Sequence, residues 1–185
     1  MKIRRLALIS LAIVATSGLA VAQPHPGHDT HEASRHPGTM SAPYAGMQQR
    51  DIKALSEQQM ADLKAGKGLA MALPAELNGY PGPAHVLELA AELNLSAEQH
   101  HRTQQLFVRM QAEARALGEQ LIAAERRLDA LFRTRQADPD TVTAASISAA
   151  QLQGRLRAAH LRYHLAMMDI LSAEQVAIYQ RSRGY

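Results

Sequence analysis

Residues 95–99 read Leu95-Ser96-Ala97-Glu98-Gln99, and residues 171–175 repeat them as Leu171-Ser172-Ala173-Glu174-Gln175. In each copy a serine stands three residues before a glutamine. The serine hydroxyl can accept from the third helical N–H while the glutamine reaches back to the serine N–H, so each copy is a capping box that opens a helix. The first helix is long. Leu106, Met110, Leu117, Leu121, Ala124, Leu128 and Leu131 carry an apolar stripe at three- and four-residue steps to about Gln136. Asp138-Pro139-Asp140 breaks the chain and starts a second helix, where Val142, Ala145, Ala149, Leu152, Leu156, Ala159, Tyr163, Ala166 and Ile170 keep the same spacing. The second box opens a last short helix ending near Arg183. Two long helices joined by a tight turn lie antiparallel. The expected fold is therefore all-α, a long antiparallel helical hairpin. At a rise of 1.5 Å per residue its first helix is about 60 Å long. Two such rods bury little core alone, so a second hairpin from a homodimer, or the shorter N-terminal helices, must cover the seam.

Those shorter helices occupy residues 50–94. A helical pattern runs from Arg50 to Ala65 (Ile52, Leu55, Met60, Leu63) and stops at Gly66-Lys67-Gly68. A short helix is expected from Leu69 to Leu77, bent or broken at Pro74, with Asn78-Gly79 as its stop. Tyr80-Pro81-Gly82-Pro83 reads as a turn, and Pro83 suits the first position of a helix continuing to about Leu93. The stretch from Tyr44 to Tyr80 is too patterned for a linker, and packing against the hairpin is the role it suggests. Residues 23–49, rich in Pro, Gly and His, read as a disordered leader.

The first 22 residues carry Lys2, Arg4 and Arg5, an apolar run from Leu6 to Val14, and Ala20-Val21-Ala22 in small-x-small order. This is the layout of a cleaved secretory signal, and the run is too short for a stable membrane span, although an uncleaved anchor is the alternative. No later apolar stretch approaches the ~20 residues of a span. Periplasmic location is expected. Cleavage removes three bases, so 20 Lys+Arg against 17 Asp+Glu become 17 against 17. The excess of base thus belongs to the precursor and makes no case for nucleic-acid binding. Cysteine is absent, which excludes disulfides, thiol catalysis and thiolate metal sites and leaves His, Met and carboxylates for any borderline metal.

The duplicated Leu-Ser-Ala-Glu-Gln, one copy opening the long helix and one near the C-terminus, resembles the LTxxQ signature of the periplasmic Spy/CpxP stress proteins and the related metal-linked ZraP/CnrX-like proteins, with Ser in place of Thr in both copies. The resemblance covers roughly residues 83–185. It implies a helical hairpin, dimeric in most members, without catalysis. Its members act as ATP-independent chaperones of unfolded envelope proteins, as regulators that bind a sensor kinase's periplasmic domain, or as heavy-metal sensors and resistance proteins.

His160 and His164 are one helical turn apart and Met168 is one turn further, all beside the Leu156–Ala159–Tyr163 seam. Two imidazoles at i and i+4 can converge on one divalent ion, and a thioether favours zinc, nickel or copper. His164 and Met168, just before Leu171, match the His-x3-Met step that the CnrX-like resemblance implies for metal ligands. That resemblance also calls for ligands from the first hairpin helix, where His100 and His101 are available. They are adjacent rather than one turn apart, so at most one of them faces such a site. His25, His28, His31 and His36 form a His-rich tract in the leader, read either as an accessory metal trap or as a solvated segment that meets metal only incidentally. The alternative is plainer: His160 and His164 as half-buried seam residues, with Met168 filling a core gap.

A second surface is carried by Arg102, Arg109, Arg115, Arg126, Arg155 and Arg162 with Met110. By resemblance to the chaperones, it would hold unfolded clients through charge and apolar contact. Interleaved Glu113, Glu119, Glu125 and Asp129 make much of it a paired, solvated face. There is no phosphate loop, nucleophile elbow or thiol, so an enzyme is not expected. The sequence favours a periplasmic metal-binding stress protein, with a chaperone or adaptor as the alternative.

Overall fold

Among the described residues three serines, not two, open helices through capping boxes. A computed structural model of the chain describes residues 42–185. Its helices are α1 (Glu57–Ala65), α2 (Leu73–Glu76), α3 (Pro83–Glu88), α4 (Ala97–Arg133), α5 (Pro139–Met167) and α6 (Ala173–Arg183). Ser96 and Ser172 accept from the N–H of Gln99 and Gln175, whose side chains return to the serine N–H. Ser56 and Gln59 do the same at the start of α1. Leu55-Ser56-Glu57-Gln58-Gln59 is thus a third Leu-Ser-x-x-Gln, and it places the helix start seven residues later than the expected Arg50.

The fold is all-helical, and α4 and α5 form the expected long antiparallel pair. Its 37 residues make α4 about 55 Å long. The helix ends at Arg133 rather than Gln136 because Arg135 turns to a left-handed φ of 57°. Asp138 caps α5 through the N–H groups of Asp140 and Thr141, and Pro139 takes the first turn, where its missing donor costs nothing.

Within one chain, cover for the pair comes from the N-terminal residues. Residues 42–49, expected to belong to a disordered leader, form a turn and a single 3-10 turn, Met47–Gln49, with Gly46 supplying a φ of 86°. Residues 50–56 are a strap of bends closed by a turn, with Leu55 N–H donating to the Ile52 carbonyl at 3.1 Å, rather than helix. Ile52 is fully buried in the hairpin core, and Lys53 N–H donates to Asp129 at 3.1 Å. Helix α1 crosses α4 where Gly118 meets the Leu63 backbone. The helix expected over Leu69–Leu77 is reduced to α2, because Leu69 and Ala70 adopt φ of 45° and 60°. Pro74 lies in the first turn of α2, so it helps start that helix rather than breaking one. Helix α3 begins at Pro83 as expected but stops at Glu88, and turns carry the chain to Asn94.

Two apolar clusters result. One joins Ile52 and Leu63 to Leu117, Leu121, Ile122, Leu156 and Ala159 of the pair. The other gathers Val86, Leu93, Met167, Ile170, Leu171 and Tyr179 near α3 and α6. Among the described residues no helix is long and apolar enough to cross a membrane.

Candidate functional site

Along α5 the first cluster ends at Ala159 and the second begins at Met167, and the gap between them holds His160 and His164. The sequence allowed two half-buried rings. Here both are buried, 3% and 7% exposed, and face a cleft of about 510 Å³. Its other walls are the loop after α1, Glu76, residues 82–85 and the stretch of α4 around Met110.

Glu76, the last residue of α2, organises this cleft, although it is only 5% exposed. Its Oε1 accepts from the Tyr179 hydroxyl of α6 and lies 3.3 Å from His85 Nδ1 and 3.6 Å from Arg183 Nε. Its Oε2 has no hydrogen-bond partner and stands 3.7 Å from His164 Nδ1. That nitrogen is committed elsewhere, 2.7 Å from the Tyr80 carbonyl oxygen. A carbonyl only accepts, so Nδ1 carries a proton toward it, and it is Nε2 that holds the lone pair whenever the ring is neutral. A Cβ built on Gly82 would lie 3.0 Å from that Nε2 and 3.6 Å from Glu76 Oε2. Glycine thus lets the His164 ring edge come closer to the backbone than a side chain would allow, with the bare carboxylate oxygen beside the same point. His160 Nε2 is likewise buried without a partner.

Burial pushes the Glu76 carboxyl upward, but hydrogen bonds from His85 and Tyr179 outweigh it and hold the group below its ordinary range. The Tyr179 phenol is pushed up, by burial first and then by Glu76, so it stays a donor. Burial, then the neighbouring His164, holds His160 below the usual imidazole range, so it is neutral at physiological pH. A neutral imidazole is the form that ligates metal.

The other expected ligands fall elsewhere. Met168 caps the end of α5, 39% exposed and off the cleft wall, while its neighbour Met167 is fully buried in the second cluster. His100 and His101 are exposed on the first turn of α4, His101 2.9 Å from the Gln105 amide, and neither lines the cleft. His25, His28, His31 and His36 lie outside the described residues.

The arginines divide. Arg102 and Arg109 border one hollow between α4 and α5, and Arg155 and Arg162 another, with Arg162 paired to Glu113 at 2.6 Å. Arg115 and Arg126 instead hold the N-terminal segment, through the Ala65 carbonyl at 3.3 Å and Asp51 at 3.0 Å. Met110 is not on an open face: it is 8% exposed and lines the histidine cleft, because α1 and the loop after it cover that side of α4.

Glu76, Gly82, His85 and Tyr179 went unread as site residues. A lone glutamate in a short helix carries no signal. The one hint was Gly82 held between Pro81 and Pro83, where a fixed backbone with no side chain suggests close approach.

Among the described residues, no three His, Asp or Glu side chains stand close enough together to hold a metal. The donor types themselves suit a borderline divalent ion: a carboxylate, two imidazoles and the Met110 thioether line one cleft. Neither a curated protein nor a solved structure matches the chain. Residues 68–177, more than half of the chain and most of the cleft from Gly68 to His164, match the model of the heavy-metal resistance family, and the chain belongs to that family.

Proposed function

We propose that this protein binds a divalent transition metal (zinc, nickel or copper) in the cleft between its two apolar clusters, and that it serves heavy-metal sensing or resistance in the bacterial envelope. The observation that carries this reading is the unpartnered Glu76 Oε2, buried 3.7 Å from Nδ1 of the His164 ring where both side chains approach Gly82. A buried carboxylate oxygen without a donor costs stability unless something cationic meets it. Glu76 and His164 would hold the ion as a pair, and His160 and Met110 line the same cleft beyond that pair. The ion would supply positive charge. The chain's own part is to keep Glu76 ionised, to fix the His164 tautomer through Tyr80, and to limit water access by burial. This is binding chemistry, not catalysis. The signal-like N-terminus supports export, and homodimerisation would cover the outer half of the hairpin.

Calorimetric titration of the chain from Gln23 with zinc, nickel and copper tests the reading. Variants lacking residues 23–43 or carrying His160→Ala/His164→Ala complete the set. Binding that survives loss of the leader and disappears with the histidine pair is expected. Binding that vanishes with the leader alone would rule out the cleft.

A chaperone or adaptor reading has its own support. Phe132 is 60% and Ile147 52% exposed on the hairpin, beyond the reach of α1. Suppression of client aggregation that persists in the His160→Ala/His164→Ala variant would show that this surface works apart from the cleft.

A further inference from the structure

The two oxygens of Glu76 are treated differently. Every donor that reaches the carboxylate from α3 and α6 gathers on Oε1: the Tyr179 hydroxyl, His85 Nδ1 at 3.3 Å and Arg183 Nε at 3.6 Å. Oε2 is left bare toward His164 and Gly82. Glu76 sits at the end of a four-residue helix that could not hold it by itself. Tyr179 is fully buried, its ring packed in the second apolar cluster, so its hydroxyl reaches Glu76 from a fixed platform. The start of α6 is pinned separately, by Gln175 to Gln99 and to the Leu93 carbonyl. Its later turns meet the rest of the chain through the Tyr179 ring in that cluster and through Gln180 against Gly79, and the polar contacts of Tyr179 and Arg183 converge on Glu76.

We infer that Tyr179, with Arg183 and His85, is a positioning clamp that presents Glu76 Oε2 to the cleft and couples docking of α6 to occupancy of the site. The coupling rests on the metal reading above; the clamp itself does not. Linkage fixes its sign. If a docked α6 improves metal affinity, bound metal must hold α6 docked by the same factor. The C-terminal helix is then the element that reports metal to whatever reads this protein.

The test uses Tyr179→Phe, which keeps the ring and removes the hydroxyl, with Glu76→Gln, the double variant, and Arg183→Gln should the phenylalanine variant fail to fold. In the metal-free arm, amide exchange is followed over residues 173–183. Tyr179→Phe and Glu76→Gln should each speed exchange there, and the double variant should be no faster than the more severe single. Unchanged exchange in α6 overturns the clamp. In the metal arm, cobalt(II) is the probe, read by its visible absorption. Tyr179→Phe should weaken binding roughly 10- to 100-fold, as loss of an outer-sphere partner does. In the Glu76→Gln background it should weaken binding no further, and metal should slow α6 exchange in the unmodified protein. A purely structural tyrosine would lower affinity by the same factor in both backgrounds, which overturns the coupling. Wild-type protein that binds no cobalt(II) sinks the metal reading and the coupling with it, while the exchange data still decide the clamp.

Discussion

The side-chain amides of Gln99 and Gln175 hydrogen-bond each other in both directions, at 2.8 and 3.0 Å. The second N–H of each goes to a backbone carbonyl, Ile170 at 2.9 Å and Leu93 at 3.1 Å. Each amide oxygen also accepts from the serine that opens its own helix. The repeated pentapeptide is thus one joint, in which two capping boxes 76 residues apart lock α4 and α6 together. Gln99→Ala or Gln175→Ala leaves partly buried donors and acceptors unmet, at a cost of about 1–3 kcal/mol. Because both residues serve one network, the double variant should fall short of the sum by about 0.5 kcal/mol or more. Urea unfolding of the four proteins measures this, and strict additivity would show that the joint is not cooperative.

Gly118 is the contact point of α1 on α4. A Cβ there would lie 2.5 Å from the Leu63 carbonyl oxygen and 3.0 Å from its carbon. Alanine gains about 1 kcal/mol over glycine in a helix interior. Backbone cannot rotate out of the way as a side chain can, so the overlap costs more, about 1–3 kcal/mol with displacement of the packed segment. Gly118→Ala should therefore lower Tm and expose Lys64 and Lys67 at the end of α1 to trypsin. A rise in Tm with no new cleavage would mean that α1 is not held at this crossing.

The hairpin was legible because its signals are local and redundant: capping boxes at Ser96 and Ser172, a stop at Asp138, and an unbroken apolar stripe between. The N-terminal cover was less so. Periodicity could not distinguish Ile52 on a strap from Ile52 on a helix, and nothing marked Leu69 and Ala70 for left-handed backbone. The site was half legible. His160 and His164 stood out at one-turn spacing. Their buried carboxylate partner did not, because Glu76 reaches His164 only through the tertiary fold, across 88 residues. Met168 followed the right period but lies where α5 ends, on the exposed side of its last turn.

Gly82→Ala isolates the point where Glu76 and His164 approach the backbone. Gly82 has φ −88° and ψ 144°, extended values that alanine adopts freely, so no backbone strain enters. The added methyl would stand 2.9 Å from His164 Cε1 and 3.0 Å from Nε2. On the proposed metal reading, affinity should drop at least ~10-fold, the scale of a disturbed ligand environment. Stability without metal should change by less than about 3 kcal/mol, the usual range for one inserted methyl. Titration calorimetry and thermal unfolding run side by side separate the two effects. Retained affinity would place the metal away from this point.

In the proposed metal site, Met110 and Met168 are the alternative thioether donors. Met110 lines the cleft with both histidines, whereas Met168 is 39% exposed outside it. A thioether matters most to a soft ion, so the choice of metal separates the candidates. Met110→Leu keeps volume and apolar character and should cost under about 1.5 kcal/mol of stability. It should weaken copper(I) binding several-fold more than zinc binding, while Met168→Leu leaves both unchanged. Competition with a chromogenic chelator under reducing conditions gives the copper(I) affinities. The reverse pattern, with Met168→Leu selective for copper(I), would place the copper(I) site at the exposed end of α5 and not in the cleft.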